Sequence, residues 1–325
     1  MKILITGGSG FIGSHVVEHY QNRAEIIVLD NLRSGHRRNL DGLKCHFIEG
    51  SILDRTLLDE IMPGVDFIIH LAALVSVPES MAKPLEAVDL NVNGLLNVLE
   101  AARMHRVKKL AFASSAAVYG ENPIHPKVET LVPDPRSPYA ISKLDGEYYC
   151  ALYNRENWLQ TTCLRFFNVF GPRQDPHSAY AAAVPIFLQC AKEEKPICIY
   201  GDGSQTRDFV YVNDIAGALS FALENEHVDG VFNTGYGHSI SILELAKKII
   251  KLTNSSSEIK FLPSRPGDIR HSMSDPSKLL AAGWKPRFNV TSGLANLIEN
   301  QDNTGFPSCD TIINKSLDKK RHSDS

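Results

Sequence analysis

Hydrophobic residues along the first half of the chain come in short β-branched runs, each about the length of one strand. The runs are Ile3 to Thr6, Ile26 to Asp30, His46 to Glu49, Phe67 to Leu71, Lys109 to Ser114 and Thr161 to Phe166. Between them the apolar spacing lengthens to that of a helix. In the stretch Val88 to Ala102, it places Val88, Leu95, Leu96, Leu99 and Ala102 on one inward face. Strand–helix alternation predicts right-handed βαβ units, hence an α/β fold with a Rossmann-type, doubly wound parallel sheet. Phe209 to Val212 and Val231 to Thr234 read as later strands.

After about Asn168 the pattern changes. Pro and Gly become frequent at Gly171, Pro172, Pro176, Pro185, Pro196, Gly201 and Gly203, and long loops are expected. The reading is a first domain over residues 1–168 that regains about 209–235 for its sheet. A smaller C-terminal α/β domain takes 169–208 and 236–299. Residues 300–325 are polar and aperiodic and read as a disordered tail, ending in the basic run Lys319-Lys320-Arg321. No internal repeat is visible.

Composition narrows the function classes. Of 325 residues, 43% are hydrophobic and 22% charged, ordinary for a globular chain able to bury a core without metal or disulfides. A net charge of −3 gives no overall basic field, so nucleic acid is not an expected partner. The first residues read straight into a strand and no apolar run is long enough to span a bilayer, so neither a leader peptide nor a membrane partner is expected. The cysteines form no C-x-x-C pair and no ligand cluster with histidine, so no metal site is expected and a reducing cytoplasm fits.

The candidate chemistry starts where the first strand ends. Gly7, Gly10 and Gly13 form G-x-x-G-x-x-G, directly after a strand and opening a helix over Ser14 to Gln21. Glycine lets the backbone approach a diphosphate, and the helix N-terminus offers free N–H groups. Asp30 closes the second strand, where a carboxylate accepts hydrogen bonds from ribose hydroxyls and repels a 2′-phosphate. The cofactor expected is therefore NAD, although Arg33, Arg37 and Arg38 nearby pull the other way.

A second cluster lies further on. Tyr139 and Lys143 open a helix after Pro138, four residues apart and so on one face. A phenol needs its pKa lowered by about three units, roughly 4 kcal/mol, to act as a base near neutrality. Lys143 would supply part of that as a nearby cation and an oxidised nicotinamide the rest. Ser114 and Ser115 stand at the carboxyl end of a central strand, the edge where doubly wound sheets bind ligands.

Taken together, these motifs resemble the extended short-chain dehydrogenase/reductase superfamily, and more closely its nucleotide-sugar 4-epimerases. The matching stretches are Thr6 to Gly13, Asp30-Asn31, His70 to Ala73, Ser115 with Tyr139 and Lys143, Arg165 to Gly171, Gly201 to Gly203, Arg207 to Phe209 and Arg265 to Asp268. The resemblance implies that Tyr139 takes the proton of a sugar 4-hydroxyl while NAD accepts hydride from C4. The 4-keto sugar then turns and is reduced on its other face. Ser115 would bridge tyrosine and substrate. Lys143 would also hold the nicotinamide ribose.

The same resemblance implies the remaining contacts. NAD would lie against Gly7, Gly10, Phe11, Ile12, Gly13, Asp30 and Asn31, then Ser51, Ile52, Leu71, Ala72 and Ala73, with Tyr139, Lys143 and Phe166. The UDP-sugar would meet Ser76, Ser115, Tyr139, Asn168, Ala182, Val184, Arg207, Arg265, Asp268 and Ser272. Ala116 and Ala117 follow Ser115 where dehydratases carry an acid, which favours plain epimerisation. Ser272 is small where epimerases restricted to plain hexoses resemble one another in a bulky tyrosine. Room is left there for a 2-N-acetyl group, so UDP-GlcNAc/UDP-GalNAc exchange is expected, with UDP-Glc/UDP-Gal beside it. Three positions depart from the pattern: Ser51 replaces an acid, Val75 a small residue and Ala116 a hydroxyl donor. A UDP-glucuronate or other UDP-hexose 4-epimerase, and a non-catalytic NAD sensor, stay open as alternatives. The family's pairing mode implies a homodimer through Val88 to Ala102 and Tyr148 to Asn157.

Overall fold

The computed structural model describes residues 1–175, 183–264 and 270–300. The chain divides into two compact units. The first gathers Met1–Phe167, Val212–Gly235 and Ser274–Lys285; the second holds Asn168–Tyr211, Tyr236–Met273 and the chain from Pro286 on.

The first unit runs β1 (Lys2–Thr6), α1 (Phe11–Tyr20), β2 (Glu25–Asp30), β3 (His46–Glu49), α2 (Arg55–Ile61) and β4 (Phe67–His70). It continues with α3 (Val77–Ala82), α4 (Pro84–Val88), α5 (Gly94–Met104), β5 (Lys109–Ser115), α6 (Pro138–Arg155) and β6 (Gln160–Phe166). The second unit opens with β7 (Asn168–Phe170), α7 (Ala183–Lys192), β8 (Ile197–Tyr200) and β9 (Thr206–Tyr211). Helix α8 (Val212–Glu224) and β10 (Gly230–Thr234) return to the first. Then β11 (Ser239–Ser241), α9 (Ile242–Thr253) and β12 (Ile259–Leu262) belong to the second, α10 (Ser277–Ala281) to the first and α11 (Val290–Asn300) to the second.

Seven strands in the order β10-β6-β5-β4-β1-β2-β3, all parallel, form the sheet of the first unit. Parallel strands are covered on both faces, which is why their sequences lack polar alternation. Ile3, Leu4, Ile5, Val28, Leu29, Ile68, Ile69 and Leu110 have no exposed surface. Burying each such side chain is worth about 1.5–3 kcal/mol. Chain direction across the sheet reverses between β1 and β4, leaving a crevice outside their carboxyl ends where doubly wound folds bind ligands.

Two elements depart from the sequence pattern. The single helix expected over Val88 to Ala102 is three pieces: α4, a π-helical turn at Asp89–Asn93, and α5. Leu95, Leu99 and Ala102 are buried and Leu96 is half-buried, but Val88 is exposed. The π turn holds an additional residue, and one residue is worth about 100° of rotation, so the inward stripe does not continue back to Val88. Phe209 to Val212 is also not a strand of the large sheet. Thr206–Tyr211 is the middle strand of a three-stranded sheet, β11-β9-β7, in the second unit, and Val212 begins α8. An apolar run marks a strand without saying which sheet takes it.

The second unit adds a parallel pair, β12-β8. Its core is built on Val184, Leu188, Ile197, Leu245, Ile249 and Leu294, all wholly buried. Helix α9 starts at a reciprocal cap, Ser241 with Glu244, which satisfies two of its orphan N–H groups. No helix among the described residues is long and apolar enough to cross a membrane.

Candidate active site

The glycine loop is built by close approach. Gly7 takes φ +73°, a left-handed conformation, and its N–H donates to the Leu29 carbonyl at 2.9 Å. A Cβ at Gly7 would stand 2.7 Å from the Ala72 nitrogen, and one at Gly13 would stand 2.2 Å from the Gly7 oxygen. Gly10 is the N-cap of α1, and no side chain caps the first-turn N–H groups of Phe11, Ile12 and Gly13. Backbone donors at a helix N-terminus with no side chain in the way are what a dinucleotide's diphosphate requires.

Asp30 is buried at the end of β2. One carboxylate oxygen accepts from the Ser9 N–H and the other from the Leu32 N–H, both at 2.9 Å. Burial pushes its pKa up, and the two backbone bonds pull against that. Each oxygen keeps acceptor capacity for a ribose hydroxyl. Asn31 accepts from the Arg33 N–H at 3.2 Å. The Arg33 guanidinium is held by Glu79, at 2.7 Å, and by Glu86, while Arg37 lies 4.1 Å over the Phe47 ring. Two of the three arginines near Asp30 are thus engaged away from a 2′-phosphate. The residues present fit NAD.

The rest of the expected cofactor wall lies on neighbouring loops. The Ser51 hydroxyl accepts from the Leu53 N–H at 3.2 Å, and Ile52 is buried. Leu71 donates its N–H to the Thr6 carbonyl at 3.0 Å, and Ala72 backs directly on Gly7. Leu71, Ala72 and Ala73 are half-buried, and Phe166 ends β6 with 8% of its surface exposed. Ser76 caps α3, accepting from Glu79 N–H at 3.1 Å.

Helix α6 presents the candidate base. Ser137 caps it by accepting from the Ala140 N–H, and Pro138 occupies the first turn, where its missing donor costs nothing. Tyr139 and Lys143 therefore sit on the first two turns, one above the other. Ser115 ends β5, and its hydroxyl accepts from the Ala117 N–H at 3.1 Å. Burial pushes the Tyr139 phenol up, and Ser115 works against that by stabilising the phenolate.

Lys143 reaches back to β5. Its ammonium is buried, donates to the Ala113 carbonyl at 2.8 Å and lies 5.9 Å from the Tyr139 ring centroid. Burial pushes it down to about 8. Ser115 lowers the phenol, and the Lys143 ammonium lies on the same helix face.

Two neighbours were given no role by the sequence, His70 being named only within a matching stretch. His70 is buried, pairs with the Thr6 hydroxyl at 2.9 Å and stacks on Phe112. Burial first, then the Lys143 charge, push it down to about 3, so it is neutral near pH 7. Asn91, in the π turn, binds both the N–H and the carbonyl of Leu74, at 2.7 and 3.0 Å, and the Ser142 hydroxyl at 2.9 Å. It ties the loop after β4 to α6. Its only sequence signal is an amide inside an apolar helical stretch.

The second unit places Asn168, Arg207 and Ser272 around β9. Asn168 pairs in register with Phe209, and its amide donates to the Asp208 carbonyl at 3.0 Å. Arg207 donates to the Thr206 carbonyl at 2.9 Å, and the Ser272 N–H donates to the same carbonyl at 3.1 Å. Asp208 is buried and accepts from the N–H groups of Tyr236 and Gly237. Val184 is sealed in this unit's core. Ala182, Arg265, Asp268 and the basic tail lie outside the described residues. Among the described residues no cluster of His, Cys, Asp or Glu could hold a metal ion.

The sequence profile of the NAD dependent epimerase/dehydratase family matches residues 3–235. A UDP-glucose 4-epimerase of Mycolicibacterium smegmatis is 37% identical over 309 residues, covering 92% of this chain and 98% of the relative. Among solved structures, UDP-N-acetylglucosamine 4-epimerase from Methanobrevibacter ruminantium, in complex with UDP-N-acetylmuramic acid, superposes with a TM-score of 0.88 at 39% identity. The match covers 92% of this chain and 97% of that one. The UDP-glucose 4-epimerase of Thermus thermophilus, in complex with NAD, gives 0.85 at 36% identity, over 94% of this chain and all of the other. Over its length and its fold, this chain belongs to the NAD dependent epimerase/dehydratase family, and it is an NAD-dependent enzyme.

Proposed function

We propose that the chain epimerises C4 of a UDP-sugar, with UDP-GlcNAc/UDP-GalNAc as the main pair and UDP-Glc/UDP-Gal beside it. The observation that carries this reading is the pair Tyr139 and Lys143 on one face of α6, with Ser115 at the carboxyl end of β5 holding the phenol down against the effect of burial. NAD, when bound, supplies a hydride acceptor and donor for C4. Tyr139 takes the proton of the 4-hydroxyl and returns it after the sugar has turned. Ser115, holding the phenol, relays that proton and keeps the two oxygens in reach. Lys143 holds the ribose side of the cofactor and keeps a positive charge below the phenol. The absence of an acid at Ala116 and Ala117 leaves no group to expel water, which supports epimerisation over dehydration.

Arg207, Arg265, Asp268, Asn168, Ser76, Ala182 and Val184 are the proposed contacts for the nucleotide and sugar. Ser272 is the proposed source of room for the N-acetyl group. Helices α3, α4 and α6 expose Met81 (60%), Leu85 (85%), Ile141 and Tyr148 (63%), an apolar face that supports a homodimer. A cytoplasmic setting suits the free thiols Cys45, Cys150, Cys163 and Cys198.

The test is a substrate panel. Purified protein is mixed separately with UDP-GlcNAc, UDP-Glc and UDP-GlcA, and the product sugars are identified. UDP-GalNAc is expected to form fastest. Turnover confined to UDP-GlcA would replace the substrate, and no turnover of any UDP-hexose with NAD bound would replace the enzyme with a sensor.

A further inference from the structure

Glu147 lies on α6 four residues beyond Lys143 and eight beyond Tyr139, so the three share one helix face. Its side chain is 3% exposed, and it meets the equally buried Arg165 of β6. The guanidinium donates to both carboxylate oxygens, Nε at 2.8 Å and Nη2 at 2.7 Å. The Ser114 hydroxyl of β5 donates to the same carboxylate. The Arg165 guanidinium also lies 4.7 Å over the ring of Tyr119, whose hydroxyl donates to Asn233 at 2.7 Å.

Burying an ion pair this deeply costs several kcal/mol per ion, and two apolar side chains would hold helix to sheet at least as firmly. What they would lack is register. A bidentate pair accepts one orientation, and here it is shared with the residue before Ser115 through Ser114 and with the turn after it through Tyr119. Lys143 adds a tie to the Ala113 carbonyl, one residue earlier in the same strand.

We propose that Glu147, braced by Arg165, is a positioning residue for the epimerisation, fixing the rotation and depth of α6 on β5 so that Tyr139 stays in register with Ser115. The inference rests on the epimerase reading and adds a group that touches neither sugar nor cofactor. Ser115 hangs between two anchored points, and Tyr139 rides on the helix that the same carboxylate locks. Loosening the lock by a fraction of an ångström leaves binding intact and spoils proton transfer.

Two variants test it. Ser114→Ala removes the strand tie and leaves the ion pair whole, so it keeps the fold; the double variant Glu147→Gln/Arg165→Met removes both charges together. Each is assayed as the NAD-loaded protein, with bound NAD and melting temperature recorded beside kcat and KM. The expected result is a kcat lower by on the order of tenfold or more with KM little changed, since small misplacements at a reacting group cost that much. Ser114→Thr, which restores the hydroxyl, recovers most of the rate. A folded, NAD-loaded Ser114→Ala enzyme with wild-type kcat overturns the proposal, whatever becomes of the double variant. Wild-type turnover and its loss in Tyr139→Phe, measured in the same assay, keep the underlying reading separate from this outcome.

Discussion

Tyr139 and His70 show what one side chain's surroundings decide. Replacing Tyr139 with Phe removes the proposed base and leaves the glycine loop untouched. Turnover is expected to fall by about 10²–10⁴-fold, the usual worth of a positioned acid–base group, with bound NAD unchanged. A variant with near-normal kcat would take the tyrosine out of this role. His70 gives a prediction on stability. Its folded pKa is about 3 against an ordinary 6.5. Between those values the unfolded chain binds a proton that the folded one refuses, so acidification favours unfolding. The slope attributable to this one residue approaches about 1.4 kcal/mol per pH unit below 6.5. Urea midpoints measured from pH 7 to 5 are expected to fall, and in His70→Gln to fall less steeply. Parallel slopes would place the acid sensitivity elsewhere.

Elements set the next level, and glycines separate a loop that must stay tight from a helix that need not. At Gly13 a methyl group would collide with the Gly7 carbonyl and the Gly8 Cα, so Gly13→Ala is expected to open the loop and lose NAD. Gly217, in the middle of α8, has open space where a Cβ would go and an ordinary helical backbone. Gly217→Ala is expected to stabilise by about 0.5–1 kcal/mol, read from thermal or urea unfolding. At this level the strands of the first unit were legible, because strands buried on both faces write continuous runs such as Ile26 to Asp30. The π turn was not, since the apolar positions on either side of it still look helical. Tyr139 and Lys143 could be read as a pair because they lie one turn apart. Glu147 and Arg165 could not: they are separated in sequence, sit on different element types, and each alone looks like a surface charge. The sheet that claims β9 was equally hidden, since its pairing partners at Asn168–Phe170 and Ser239–Ser241 are only three residues each.

The whole molecule raises the matter of copies and of chain order. If the exposed face of α3, α4 and α6 pairs two subunits, Leu85→Glu places two charges in the buried seam. Sedimentation is expected to show the wild type as a dimer and the variant as a monomer. Equal masses would move the interface elsewhere. The order of segments has its own consequence. Strand β6 gains its outer neighbour only from β10, which arrives after β7, β8 and β9 have been made. A nascent chain released too early would present a bare, apolar β-edge, the kind of template on which other chains deposit. Truncation before residue 230 should therefore yield inclusion bodies instead of a free cofactor-binding half, because this protein lays the last plank of its first floor only after three strands of the other unit.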